Sequence, residues 1–135
     1  MRAYLPDEPG HEEARRFLAP DKSSVTGSWT RIEVSGALVR AGRVGCGDSG
    51  TLIAALDEDL SADGPINVVA APSDQVEASA LELAREHGLR TLDAWHLATA
   101  RLTAPKLAAP GEPVAFATRD AEQAAVAESL GFALI

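Results

Sequence analysis

The sequence holds a single cysteine, Cys46, so no disulfide can form within the chain, and a reducing, cytoplasmic setting is expected. Aromatic residues make up only 4% of the chain, which leaves the core to Leu, Val, Ile and Ala rather than to rings. No apolar run approaches the ~20 residues needed to cross a bilayer, so no membrane span is expected. The first ten residues lack the apolar centre of a signal peptide. Basic residues are also scarce: 12 Lys and Arg stand against 20 Asp and Glu, a net charge of −8. That balance excludes a broad basic platform that grips nucleic acid through its phosphates. It leaves open a site whose acids hold cations, because a bound Mg²⁺ reverses the sign of the local field. It also suits a partner with a basic segment.

What is present reads as one folded domain. The chain has 135 residues, 46% of them hydrophobic, enough for a single core. Abundant alanine favours helices. His11 to Ala19 reads as a short helix with Ala14, Phe17 and Leu18 on one face. Ser23 to Gly27 is a weak strand, and Ser28 is placed to cap a helix from Trp29 to Arg40. Ile32, Leu38 and Val39 would supply its apolar contacts, with Gly36 and Ala37 allowing a close neighbour and Gly42 and Gly45 marking its end. Asp48 opens a helix through Leu60. Ile66 to Ala71 reads as a buried strand. Ser73 is placed to cap a helix to His87, and another follows from Thr91 or Leu92 to Thr103. Thr103 to Pro113 reads as a loop, Val114 to Ala117 as a strand, Asp120 to Leu130 as a helix, and Phe132 to Ile135 as a last strand. This alternation predicts an α/β fold, a three-layer α/β/α sandwich with a central parallel sheet.

Three acids stand out by their surroundings. Glu33 sits in an otherwise apolar helix. Asp93 opens the segment Asp93-Ala94-Trp95-His96-Leu97-Ala98. Asp120 follows the strand that carries Phe116 and Ala117, at a carboxyl end where open α/β sheets place ligands. Taken singly, Asp93 and Asp120 read equally well as helix caps, and Glu33 as a surface residue paired with Arg31 or Arg40.

The joint pattern narrows this. The segments 28–40, 89–101 and 114–132 resemble the acid-bearing motifs of PIN domains, in particular the toxin ribonucleases of VapC type. Leu92 through Ala100 is close to that family's third motif. Phe116-Ala117-Thr118-Arg119-Asp120, followed by a helix ending Leu130-Gly131-Phe132, is close to its fourth. Tyr4-Leu5-Pro6-Asp7-Glu8-Pro9-Gly10-His11 is similar to the segment after its first helix. The resemblance implies a Mg²⁺- or Mn²⁺-dependent endoribonuclease that hydrolyses a phosphodiester in RNA. By motif match it makes Glu33, Asp93 and Asp120 catalytic metal ligands and gives Thr118 a supporting place beside Asp120. It further implies a VapB-type antitoxin as partner, and a homodimer. The chemistry is coherent: crowded carboxylates need cations to ionise together, and hard divalent ions prefer oxygen ligands.

One departure is expected. The family's first acid lies in an N-terminal strand, and Met1 to Leu5 resembles the helix after it. The first strand and first catalytic Asp are therefore expected to be missing from a single PIN-like domain over 1–135. Asp7 and Glu8 lie beyond that helix and do not substitute. The natural start then lies upstream, or the chain is a catalytically impaired module that binds an antitoxin or RNA without cleavage.

Other motifs read more plainly. Gly45-Cys46-Gly47-Asp48-Ser49-Gly50 matches Gly-x-Gly-x-x-Gly in form but lacks the preceding strand of a dinucleotide site, so it reads as a flexible loop. His96 reads as a packed histidine, Trp29 and Trp95 as core residues, and Asp57-Glu58-Asp59 as a solvated helix end. No serine sits in a nucleophile elbow.

Overall fold

A computed structural model describes residues 2–19 and 23–135; Met1, part of the expected opening segment, lies outside them. The chain has the helix-rich α/β fold expected of it, and it packs as two compact units, Met1–Val68 and Val69–Ile135.

The first unit opens with a 3-10 turn, Arg2–Tyr4, followed by α1 (His11–Phe17), β1 (Ser24–Gly27), α2 (Trp29–Arg43), α3 (Ser49–Asp59) and β2 (Ile66–Val69), whose last residue begins the second unit. β1 and β2 pair. Tyr4, Leu5, Val34, Leu38 and Leu56 form the buried cluster. Ser28 precedes α2, but its hydroxyl makes no capping bond. Ser28 already has α-helical backbone angles, φ −58° and ψ −27°, whereas a capping side chain needs an extended backbone to reach the N2 or N3 amide. Asp48 has that extended geometry and caps α3 by accepting from the Thr51 amide at 2.7 Å.

The close approach in this unit is at Gly42 rather than Gly36. A Cβ on Gly42 would lie 2.9 Å from the Ser49 Cβ, whereas one on Gly36 would meet only the tip of Arg40. Trp29 is 43% exposed and Ile32 71% exposed, so neither is the core residue expected of it; Val34 and Leu38 are the buried ones. The acids at the end of α3 are ion-paired rather than merely solvated. Asp57 accepts from Arg31 at 2.7 Å and Asp59 from Arg15 at 2.9 Å.

The second unit contains α4 (Ser73–His87), α5 (Thr91–Leu107), β3 (Ala115–Phe116), α6 (Ala121–Ser129) and β4 (Ala133–Leu134). Pro72, not Ser73, is the N-cap of α4; the fixed φ of proline favours the helix entry. α4 ends at Gly88, whose φ of +72° is in the left-handed region and lets its amide reach the Ala84 carbonyl at 3.0 Å. α5 presents Ala94, Leu97 and Ala98 fully to the core, against Val76, Ala80 and Leu83 of α4. Small alanines let the helix backbones approach closely.

α5 runs past Thr103, through Pro105, to Leu107, where a loop was expected. A proline in the last turn forfeits one main-chain bond, to the residue four before it. The buried Thr103 and Ala104 hold that turn against the core. β3 and β4 pair in parallel, Ala115 opposite Ala133 and Phe116 opposite Leu134. With α6 between them they form the expected parallel β-α-β unit. Phe116 and Phe132 pack as tilted rings with centroids 5.8 Å apart, which fixes the base of the loop that leads to α6.

Candidate active site

The loop after β3 delivers Asp120 to the start of α6. Its backbone is extended, and its Oδ1 accepts from the amides of Glu122 and Gln123, both at 3.0 Å. Those amides are among the unpaired donors of a helix's first turn, so the cap fixes the carboxylate's direction and leaves Oδ2 turned outward. Oδ2 accepts from Arg90 Nη2 at 2.7 Å. Arg90 is the residue just before α5, and its Nε donates to Asp93 Oδ2 at 2.8 Å. One guanidinium therefore joins the two carboxylates that begin successive helices. The Arg90 side chain is 73% exposed, while Asp93 and Asp120 are 22% and 32% exposed.

The electrostatics follow. The Gln123 amide, opposed by partial desolvation and helped by Arg90, holds the Asp120 carboxyl below the ordinary carboxylate range. Asp93 first, and then Asp120, raise the Arg90 pKa above its usual value. Asp120 is therefore an ionised oxygen donor at neutral pH.

Gln123 ties this corner from beneath. It is 6% exposed. Its side-chain amide donates to the Asp93 carbonyl at 3.0 Å, and its Oε1 accepts from the Thr118 hydroxyl at 2.6 Å. The Thr118 oxygen in turn accepts from the Asp120 amide at 3.1 Å. In an ordinary capping box the residue at this position of the helix reaches back to the cap's own amide. Here Thr118 takes that amide, which frees Gln123 to clamp α5 to α6. A hydroxyl has one proton and two lone pairs, so Thr118 keeps one lone pair for a further donor.

Of the residues singled out in the sequence, Asp93, Asp120 and Thr118 meet at this corner. Glu33 lies exposed on α2 in the first unit. Among the described residues no group of three or more His, Cys, Asp or Glu side chains is arranged to hold a metal ion. His96 and Trp95 are part-buried on α5, with Trp95 against the core. The glycine-rich segment 45–50 forms the turn between α2 and the first residues of α3, with Gly45 and Gly47 at positive φ. It follows a helix and not a strand, as a dinucleotide site would need. Reading the sequence alone missed Arg90 and Gln123. The Asp-x-x-Gln spacing of Asp120 and Gln123 was the available sign of a built helix start; Arg90 carried none.

The donor set suits a divalent cation. Two carboxylate oxygens from different helices converge on one positively charged group, the Arg90 guanidinium. Hard oxygen donors of this kind are what Mg²⁺ and Mn²⁺ select.

A family model for the PIN domain matches residues 2–129, across both units. This chain belongs to the PIN-domain family. PIN domains are generally nucleases and usually use divalent metals. No curated protein and no solved structure matches the chain. No helix among the described residues is long and apolar enough to cross a membrane.

Proposed function

We propose that this protein is a Mg²⁺- or Mn²⁺-dependent endoribonuclease toxin of VapC type, cytoplasmic, homodimeric, and held in check by a VapB-type antitoxin. One observation carries the metal-site part of the reading: the Oδ2 atoms of Asp93 and Asp120 converge on a single cationic group. The VapC-type role rests on the motif resemblance within the PIN family.

In this reading Asp93 and Asp120 hold the metal through those atoms. When bound, a divalent ion supplies activation of a water and neutralisation of charge on the scissile phosphate. The chain's own residues set the geometry. The α6 cap keeps Asp120 ionised and aimed. The Gln123 clamp holds Asp93 at a fixed distance from it. The remaining lone pair of Thr118 can accept a hydrogen bond from a water beside Asp120. Single-stranded or looped RNA is the expected substrate, since it exposes phosphates and unstacked bases. A basic antitoxin side chain would compete for the same carboxylates, which fits the net charge of −8.

The same Arg90 bridge favours a second reading, a module whose carboxylates are satisfied internally and which binds an antitoxin or RNA without cutting. Cleavage of a labelled single-stranded RNA in Mg²⁺ separates the two. Asp93→Asn and Asp120→Asn should each abolish cleavage and relieve growth inhibition on expression. Cleavage by these variants at the parental rate would overturn the nuclease site.

A further inference from the structure

We propose that Arg90 is a resident counter-cation of the carboxylate pair, one that a divalent ion must displace, so that this side chain sets the cation concentration at which the site loads. This rests on the metal-site reading above.

The geometry forces a choice between the two cations. Both Oδ2 atoms that would ligate an ion already accept from Arg90, at 2.7 and 2.8 Å. A divalent ion held by both oxygens would compete with the guanidinium for the same two atoms. Two like charges so placed repel strongly. Arg90 can leave readily, because its side chain is 73% exposed and an exposed guanidinium regains its hydration at little cost.

The pair of acids does not need Arg90 to stay assembled. Asp120 is fixed by its own Oδ1 through the Glu122 and Gln123 amides. The start of α5 is fixed to α6 by the buried Gln123. Removing the guanidinium therefore leaves the two carboxylates facing each other with their charge uncompensated, which is the condition that draws a cation in. Arg90 thus balances the charge of the carboxylate pair, at the expense of metal affinity. An arginine whose role was only to brace the first turn of α5 would have the opposite effect on metal binding when removed.

The test is calorimetric titration of the full chain with MnCl₂. Arg90→Gln, which keeps a planar side chain without charge, should bind Mn²⁺ about fivefold more tightly than the parent, the scale of two part-exposed ion pairs. Arg90→Lys, which keeps the charge, should fall back toward parental affinity. In the unmutated protein the Arg90 Nε–H proton should be protected from solvent exchange without metal and lose that protection as Mg²⁺ is added. Unchanged or weaker Mn²⁺ binding by Arg90→Gln, or an Nε–H proton indifferent to saturating Mg²⁺, overturns this inference alone, provided that Asp120→Asn abolishes Mn²⁺ binding. If Asp120→Asn binds Mn²⁺ like the parent, or the parent binds none, the metal-site reading fails and the inference fails with it.

Discussion

The side-chain amide of Gln123, in the first turn of α6, donates to the main-chain carbonyl of Asp93, in the first turn of α5, at 3.0 Å. Residues thirty apart in sequence are joined by a part-buried bond, and the Oε1 of the same Gln123 side chain accepts from the Thr118 hydroxyl. The carboxylates of Asp93 and Asp120 owe their spacing to this bond as much as to Arg90.

Gln123→Ala should therefore cost more than an ordinary surface change. It removes two hydrogen bonds in a part-buried site, one to the Asp93 carbonyl and one from the Thr118 hydroxyl, whose proton is left unpaired, and an unsatisfied group of that kind costs about 1–3 kcal/mol. Chemical denaturation should show a loss in that range, with weakened metal binding alongside. Unaltered stability would show that the clamp contributes nothing.

Asp120 serves two ends of one carboxylate, and substitution can separate them. Asparagine keeps an oxygen that can accept from the Glu122 and Gln123 amides, while alanine keeps none. Asp120→Asn should retain most of the parental melting temperature and still lose metal-dependent cleavage; Asp120→Ala should lower both. Equal melting temperatures for the two variants would contradict the capping role.

Asp48 gives a pH-dependent control in the other unit. The Thr51 amide and hydroxyl donate to it, at 2.7 and 2.8 Å, and hold its pKa below the ordinary value. A depressed carboxylate stabilises the fold at pH values above its unfolded pKa of about 3.9, and that stabilisation is lost as pH falls through the lower folded value. The stability difference between the parent and Asp48→Asn, read from urea midpoints, should therefore shrink from about pH 6 toward about pH 2. A difference constant across that span would mean that the charge on Asp48 plays no part.

Local signals made much of this legible. Asp93 and Asp120 stood out because each lies at the start of a helix beside an apolar strand or helix face, a pattern written within a few residues, while Thr118 entered through the motif resemblance. The β3-α6-β4 unit was legible for the same reason. Arg90 was not, because its bond to Asp120 spans thirty residues and exists only once α5 and α6 are packed. The ion pairs of Asp57 and Asp59 likewise reach Arg31 and Arg15, 26 and 44 residues away, so the run of acids read as solvent-facing. α5 runs four residues beyond Thr103, into the segment from Thr103 to Pro113 that reads as a loop. A proline breaks a helix interior, but in the final turn it removes only one bond, and the buried side chains before it decide the outcome. Trp29 shows the reverse error, since a large apolar residue on a helix is not thereby in the core.

The central claim is that the Asp93 and Asp120 carboxylates together hold a divalent cation. Anomalous diffraction from crystals soaked in MnCl₂ addresses it directly. The account predicts a Mn²⁺ peak about 2.0–2.2 Å from one oxygen of each carboxylate, with the Arg90 guanidinium withdrawn from between them. A fully loaded crystal with Mn²⁺ elsewhere, and Arg90 still bridging Asp93 and Asp120, would contradict it.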